Sequence, residues 1–106
     1  MAVPYHVKNF HIAETIDPDN IKRVRLDAHF INSNGQDISK DYWLVNDVRE
    51  PTNTGIVNVI RDGFNYAIAN NAKVKVSVDT DRTYLWFYLP SAKGEDLRQF
   101  TGGENK

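Results

Sequence analysis

Lys73-Val74-Lys75-Val76-Ser77-Val78, then Asp79-Thr80-Asp81-Arg82, then Thr83-Tyr84-Leu85-Trp86-Phe87-Tyr88-Leu89, is the stretch on which the fold turns. Val74, Val76 and Val78 alternate with Lys73, Lys75 and Ser77, the period of two that marks a half-buried strand. Asp79 to Arg82 supplies turn-forming residues. Beyond them, Leu85, Phe87 and Leu89 alternate with Tyr84, Trp86 and Tyr88. The stretch reads as a β-hairpin. A four-residue turn pairs Val78 with Thr83, Val76 with Leu85 and Val74 with Phe87 on a core face. On the opposite face it pairs Ser77 with Tyr84, Lys75 with Trp86 and Lys73 with Tyr88. Directly opposed side chains are the unit of sheet stabilisation, and both faces make chemical sense in this register.

The second face is the unusual one, a Tyr84-Trp86-Tyr88 ladder beside two lysines. A lysine over an exposed indole or phenol gains about 0.5–1 kcal/mol. As a functional surface, this is a stacking platform for a base, a sugar or a partner's side chain. The ordinary alternative is a strand that favours aromatics for its own packing, as a second buried layer or with lysine stems shielding the rings.

Upstream, Tyr5 to Ile16 reads as a first strand, with Phe10, Ile12 and Ile16 on one face and His11 and Ala13 on the other. Asp17-Pro18-Asp19-Asn20 is a turn. Lys22 to Ile31 is a second strand. Val24, Leu26, Ala28 and Phe30 form its apolar face, and Arg23, Arg25, Asp27 and His29 its polar face. Asn32-Ser33-Asn34-Gly35 contains Asn-Gly, the strongest short hairpin signal. A two-residue turn there pairs Leu26 with Trp43 and Val24 with Val45, in a third strand from about Asp41 to Val48. Trp43 and Val45 are then inside and Tyr42 and Leu44 outside; a slip of one residue exchanges these faces.

Pro51-Thr52-Asn53-Thr54 offers helix N-caps. Ile56, Val59, Ile60, Gly63, Phe64, Ala67 and Ile68 then recur at helical spacing over more than three turns. Gly63 costs about 1 kcal/mol of helix propensity relative to Ala, which points to a close approach of helix to sheet. Asn70-Asn71 ends the helix, since Asn tolerates the left-handed conformation. After Pro90, Ser91 to Gly94 is loop, Glu95 to Phe100 a short helical turn, and 101–106 a disordered tail. The predicted fold is α+β: a mostly antiparallel sheet of about five strands, in the order βββαββ, with one long helix on one face. Residues 1–100 form a single domain.

Composition narrows the function classes. Net charge is −1 with a pI near 6.3, so no basic field draws the chain to nucleic acid or anionic lipid. The absence of cysteine removes disulfides, thiolate chemistry and Cys-based zinc sites. The first residues are too polar for a signal peptide, and no apolar run reaches membrane-spanning length. The expected location is the cytoplasm. His6 and His11, five residues apart on a regular strand, fall on opposite faces and do not chelate one ion. His29 and Asp27 share a face as an acid–base pair or, more simply, as a solvated polar surface. Ser33, Ser39, Ser77 and Ser91 lack a nucleophile motif, and Asp79 and Asp81, like Asp17 and Asp19, are explained by turns. No Gly-rich phosphate loop is present. The reading is therefore of a non-enzyme with no cofactor and no metal.

If the polar sides of the second, fourth and fifth strands share the helix-free face, that face gathers His29 together with seven residues suited to binding: Arg23, Arg25, Lys73, Lys75, Tyr84, Trp86 and Tyr88. Arginines pair with phosphate oxygens, and rings stack on bases at roughly 1–3 kcal/mol each. These seven residues are the expected binding surface. The ligand is a nucleotide-like or phosphorylated molecule; the alternatives are a protein partner and, against the net charge, single-stranded nucleic acid. An exposed aromatic sheet face is also covered readily by a second copy, so a homodimer is expected.

Ile21-Lys22-Arg23-Val24-Arg25-Leu26, the single helix and Glu95-Asp96-Leu97-Arg98-Gln99-Phe100 look like segments of small uncharacterised proteins of bacteria and their phages. In size, cysteine-free composition and lack of a catalytic motif the chain also resembles phage-encoded inhibitors of host defence. That resemblance implies a role in the host cytoplasm, either covering a host protein's surface or sequestering a nucleotide immune signal. It transfers no binding residue.

Overall fold

In a computed structural model the chain is described over residues 2–16, 18, 22–44, 54–78, 85–94, 97–101 and 104–105, with side chains outside that description at 22–23, 43–44, 54–56, 78, 85, 97–101 and 104–105. Alternation builds the strands in the expected order: β1 (Ala2–Ile16), β2 (Lys22–Ile31) and β3 (Asp37–Leu44), then α1 (Thr54–Asn70), then β4 (Lys73–Val78) and β5 (Leu85–Leu89). Two further strands follow, β6 (Leu97–Thr101) and β7 (Glu104–Asn105). The fold is α+β, and the sheet has seven strands in the order β6-β5-β4-β1-β2-β3-β7, every pair antiparallel.

β6 replaces the helical turn expected at Glu95 to Phe100. The outer edge of β5 was open, and pairing Leu89 with Leu97 through Leu85 with Thr101 satisfies its ladder. β7 lies in the stretch expected to be a tail and pairs with Asp41 and Tyr42 of β3.

β1 is the spine. Its first residues pair with β4, from Ala2–Ser77 to His6–Lys73, and its remainder pairs with β2, from His6–Ile31 to Ile16–Lys22. Between Val7 and Asn9 the register shifts by one, leaving Lys8 as a bulge. The extra residue reverses the alternation. Before it the odd positions Tyr5 and Val7 face the core; after it the even positions Phe10 and Ile12 do. His6 and His11 therefore share the outer face, contrary to the expectation from an unbroken strand, yet stand roughly 16 Å apart along it.

The sheet is strongly curled. β5 and β3 are four strand positions apart, roughly 19 Å in a flat sheet. The rings of Tyr42 on β3 and Phe87 on β5 nevertheless meet edge to face, with centroids 5.0 Å apart. Only two residues join β6 to β7, at opposite ends of the strand order, and three Cα steps span at most about 11 Å. The concave side holds a core in which Val24, Leu26, Phe30, Tyr42, Ile60, Phe64, Val74, Phe87 and Leu89 are fully buried.

α1 lies nearest β1, β4, β5 and β6. Among its described side chains the buried positions are Val57, Ile60, Gly63, Phe64 and Ala67: Val57, outside the expected stripe, is buried, and Ile68, expected inside, is 43% exposed. A Cβ at Gly63 would lie 2.6 Å from the Leu89 Cβ, so the expected close approach is real. Asn71 adopts a φ of 51°, and the Ala72 N–H donates to the Ala67 carbonyl at 3.0 Å, the closing bond of a Schellman cap. No helix among the described residues is long and apolar enough to cross a membrane.

Two registers differ from expectation. Asn32 and Gln36 pair across a three-residue turn, in which the Gly35 N–H donates to the Asn32 carbonyl and Gly35 takes a φ of 78°. The Asn32 side chain accepts from the Asn34 and Gln36 amides, each at 2.9 Å. One more turn residue slips β3 by one, so Leu26 faces Tyr42, Val24 faces Leu44 and Arg25 faces Trp43. In the second hairpin Val78 pairs with Leu85, and the intervening residues 79–84, including the expected Asp79–Arg82 turn, lie outside the described residues. A shift of two keeps the faces but moves the partners: Lys75 stands opposite Tyr88 and Ser77 opposite Trp86.

Candidate functional site

The side of the curled sheet away from the helix is convex, and the stagger of β1 divides it in two. Arg25 is level with Ala13 of β1 and Lys75 with Pro4. Nine residues of strand separate these levels, roughly 30 Å. The seven residues expected to form one binding surface are thus not brought together. Lys73, Lys75, Trp86 and Tyr88 sit at one end. Arg25 sits at the other, with Arg23 opposite Thr15 on the same strand. Tyr84 lies outside the described residues.

Over β4 and β5, Trp86 and Tyr88 alternate with the buried Phe87 and Leu89, which fixes their rings on the outer face, where each is half-buried. Lys73 and Lys75 are exposed, alternating with the buried Val74 and Val76. The neighbouring outer positions are Ser77, Ala2, Pro4 and His6. Among the described residues this half carries no Asp or Glu side chain. In register beyond it, Arg98 is level with Tyr88 and Phe100 with Trp86. His6 stands at the seam, level with Lys73 on one side and Ile31 on the other, and its Nδ1 is buried without a hydrogen-bond partner.

Over β2 and β3 the chemistry is different. Arg25 grips Asp27 through two contacts, Nε to Oδ1 at 3.0 Å and an Nη2–H donated to Oδ2 at 3.2 Å. Its charge is matched within the protein and is not presented to a phosphate. Asp27 is directly opposite Asp41 on β3 and His11 on β1. His29 is opposite Ser39, with Nδ1 and Oγ 3.0 Å apart. The Asp41 carboxyl is held above the ordinary carboxylate range, first by its hydrogen bond with Asp27, then by partial burial and by the Asp27 charge; Arg25 and His29 pull the other way. The sequence reading placed Asp27 and His29 on one face but missed Asp41. Reading Ser33-Asn34-Gly35 as a three-residue turn would have set Asp41 against Asp27.

The Ser39–His29 contact lies on an exposed convex surface and is a cross-strand polar pair of the kind that stabilises sheets. No group of three His, Asp or Glu side chains among the described residues is placed to hold a metal ion. No protein-family model, curated protein or solved structure matches the chain.

Proposed function

We propose that this chain is a non-catalytic binding protein that docks an acidic, partly apolar segment of a protein partner on the outer face of β4 and β5. The observation that supports this reading is the make-up of that half: two exposed lysines beside two half-buried rings, with no carboxylate among its described residues. Aromatic rings with nearby cations are the usual anchors of protein interfaces, and the positive surface selects a partner of opposite sign. Convexity favours a macromolecule over a nucleotide, because small-ligand sites are concave and enclose most of the ligand. The separation of Arg25 from the rings also removes the pairing that favoured a phosphorylated ligand. In the role that the resemblance to phage inhibitors implies, the protein acts by covering its partner's surface.

The test is a pull-down followed by mass spectrometry, with the wild type and three variants. A specific partner should be captured by the wild type and by His29→Ala, and lost with Trp86→Ala and with Lys75→Glu. Capture that survives both β4–β5 substitutions places the interface elsewhere. Native mass spectrometry of the purified protein separates the other readings: a co-purified nucleotide supports the small-ligand reading, and a dimer mass lost on Trp86→Ala shows that the face binds its own copy.

A further inference from the structure

We propose that the opposed Asp27 and Asp41 carboxylates form a one-proton latch that ties β3, and β7 beyond it, to β2. When the latch is closed a single proton bridges the two carboxylates; when the proton leaves, two negative charges face each other across the strands and the β3 edge loosens.

The geometry is that of a directly opposed cross-strand pair on one face, whose Cβ atoms stand about 5 Å apart. Like charges at such positions are destabilising, and two carboxylates sharing a site hold one proton more tightly than either alone. One cation is committed here, and it is committed to one partner: Arg25 holds both oxygens of Asp27. That leaves Asp41, with no cation of its own across the strands, as the oxygen pair on which the proton resides. Among the described residues the other ionisable groups facing the pair are His11 from β1, opposite Asp27, and His29 from β2, held by Ser39. The Arg25 and His29 charges favour the ionised form of Asp41, so they oppose the latch without replacing it. Asp37, further along β3, is engaged by Lys8 at 3.2 Å, and Lys40 stands opposite Ala28, on the core side of the strand alternation. On the edge side the neighbours in register are Asn105, level with Asp41, and Glu104, level with Tyr42. The helix lies on the far side of the sheet and contributes nothing to this face.

The location gives the latch its consequence. Asp41 is one of two β3 residues that β7 pairs with among the described residues. The sign comes from linkage. With the Asp41 carboxyl raised, the native state binds more protons than the unfolded chain once pH exceeds the ordinary Asp value of about 3.9. The stabilisation is complete below that value and is lost as pH rises through the native value.

The experiment is amide hydrogen exchange of the intact protein, corrected for intrinsic rates, at mildly acidic and at neutral pH. In the wild type, protection of the β3 amides should fall as pH rises while that of β4 and β5 does not. In Asp41→Asn, which keeps the shape and removes the charge, β3 protection should not change with pH. A carbon-detected titration of the wild-type Asp41 carboxyl gives an independent readout should the variant fail to fold. Equal pH dependence of β3 in both proteins, or an Asp41 that titrates at the ordinary value, overturns the latch.

Discussion

Over β2 and β3 the outer face carries Asp27, Asp37 and Asp41 with Arg25, His29 and Ser39; over β4 and β5 it carries Lys73, Lys75, Trp86 and Tyr88. Both surfaces come from the same alternation and share β1. The first is largely matched: Arg25 holds Asp27, Lys8 holds Asp37 and His29 meets Ser39, while Asp41 stands opposite Asp27. The second has cations and rings but no carboxylate among its described residues. The partner we propose is placed on the second surface, where the described residues bring lysines and half-buried rings together.

The comparison is broken most severely at the ring shared by both halves. Phe64 packs on Phe10 and Phe30 from one half of the sheet and on Phe87 from the other half, with centroids 5.3, 5.9 and 5.8 Å away. Phe64→Ala should cost about 3–5 kcal/mol, read by urea unfolding. Residue-resolved unfolding should show both halves melting together; a β4–β5 half that survives alone would make them separate units.

Gly63→Ala comes next and bears on the β5 side. Its Cβ would collide with Leu89, the neighbour of Tyr88, at about 1–3 kcal/mol of overpacking, set against about 1 kcal/mol of gained helix propensity. A net loss of stability is expected, and Leu89→Ala in the same chain should relieve part of it, measured as a non-additive double-mutant cycle.

Trp86→Ala should change stability by less than either, since the ring is half-buried, while abolishing partner capture. A large stability loss instead would make the ring part of the scaffold. The smallest effect belongs to the matched half. Lys8 and Asp37 are 53% and 68% exposed, and Lys8→Ala should cost roughly 0–1 kcal/mol and less at high salt. A cost that persists in high salt would show that the bulge itself, and not the ion pair, depends on Lys8.

How much was legible in the sequence differs from element to element. The period-two runs of β2, β4 and β5 and the helical run from Thr54 to Asn70 are local signals; Val24, Leu26, Ala28, Phe30, Val74, Val76, Phe87 and Leu89 are buried as expected, as are Ile60, Gly63, Phe64 and Ala67, whereas Val57 is buried and Ile68 is not. Gly63 also spoke for itself: a glycine on a buried helical stripe has few uses except close approach. The turn at Asn32–Gln36 was less clear, because Asn-Gly suits both a two-residue turn and a longer one. One residue there decided whether Tyr42 or Trp43 stood on the core side of β3, and with it whether Asp41 met Asp27. β6 carries no strong alternation, and only the open edge of β5 made it a strand.

By itself the sequence determined the features that depend on neighbours along the chain: which residues alternate, where the helix begins and ends, and that rings and lysines share one side of the β4–β5 hairpin. Tertiary structure alone decided which surfaces coexist. The Lys8 bulge, the stagger of β2 against β4 along β1 and the curl that brings Tyr42 onto Phe87 separate Arg25 from Trp86 and set Asp41 against Asp27. The physical reason is that strand alternation specifies a face, whereas distance across a sheet depends on register and curvature, and these are set by pairings between residues far apart in the chain.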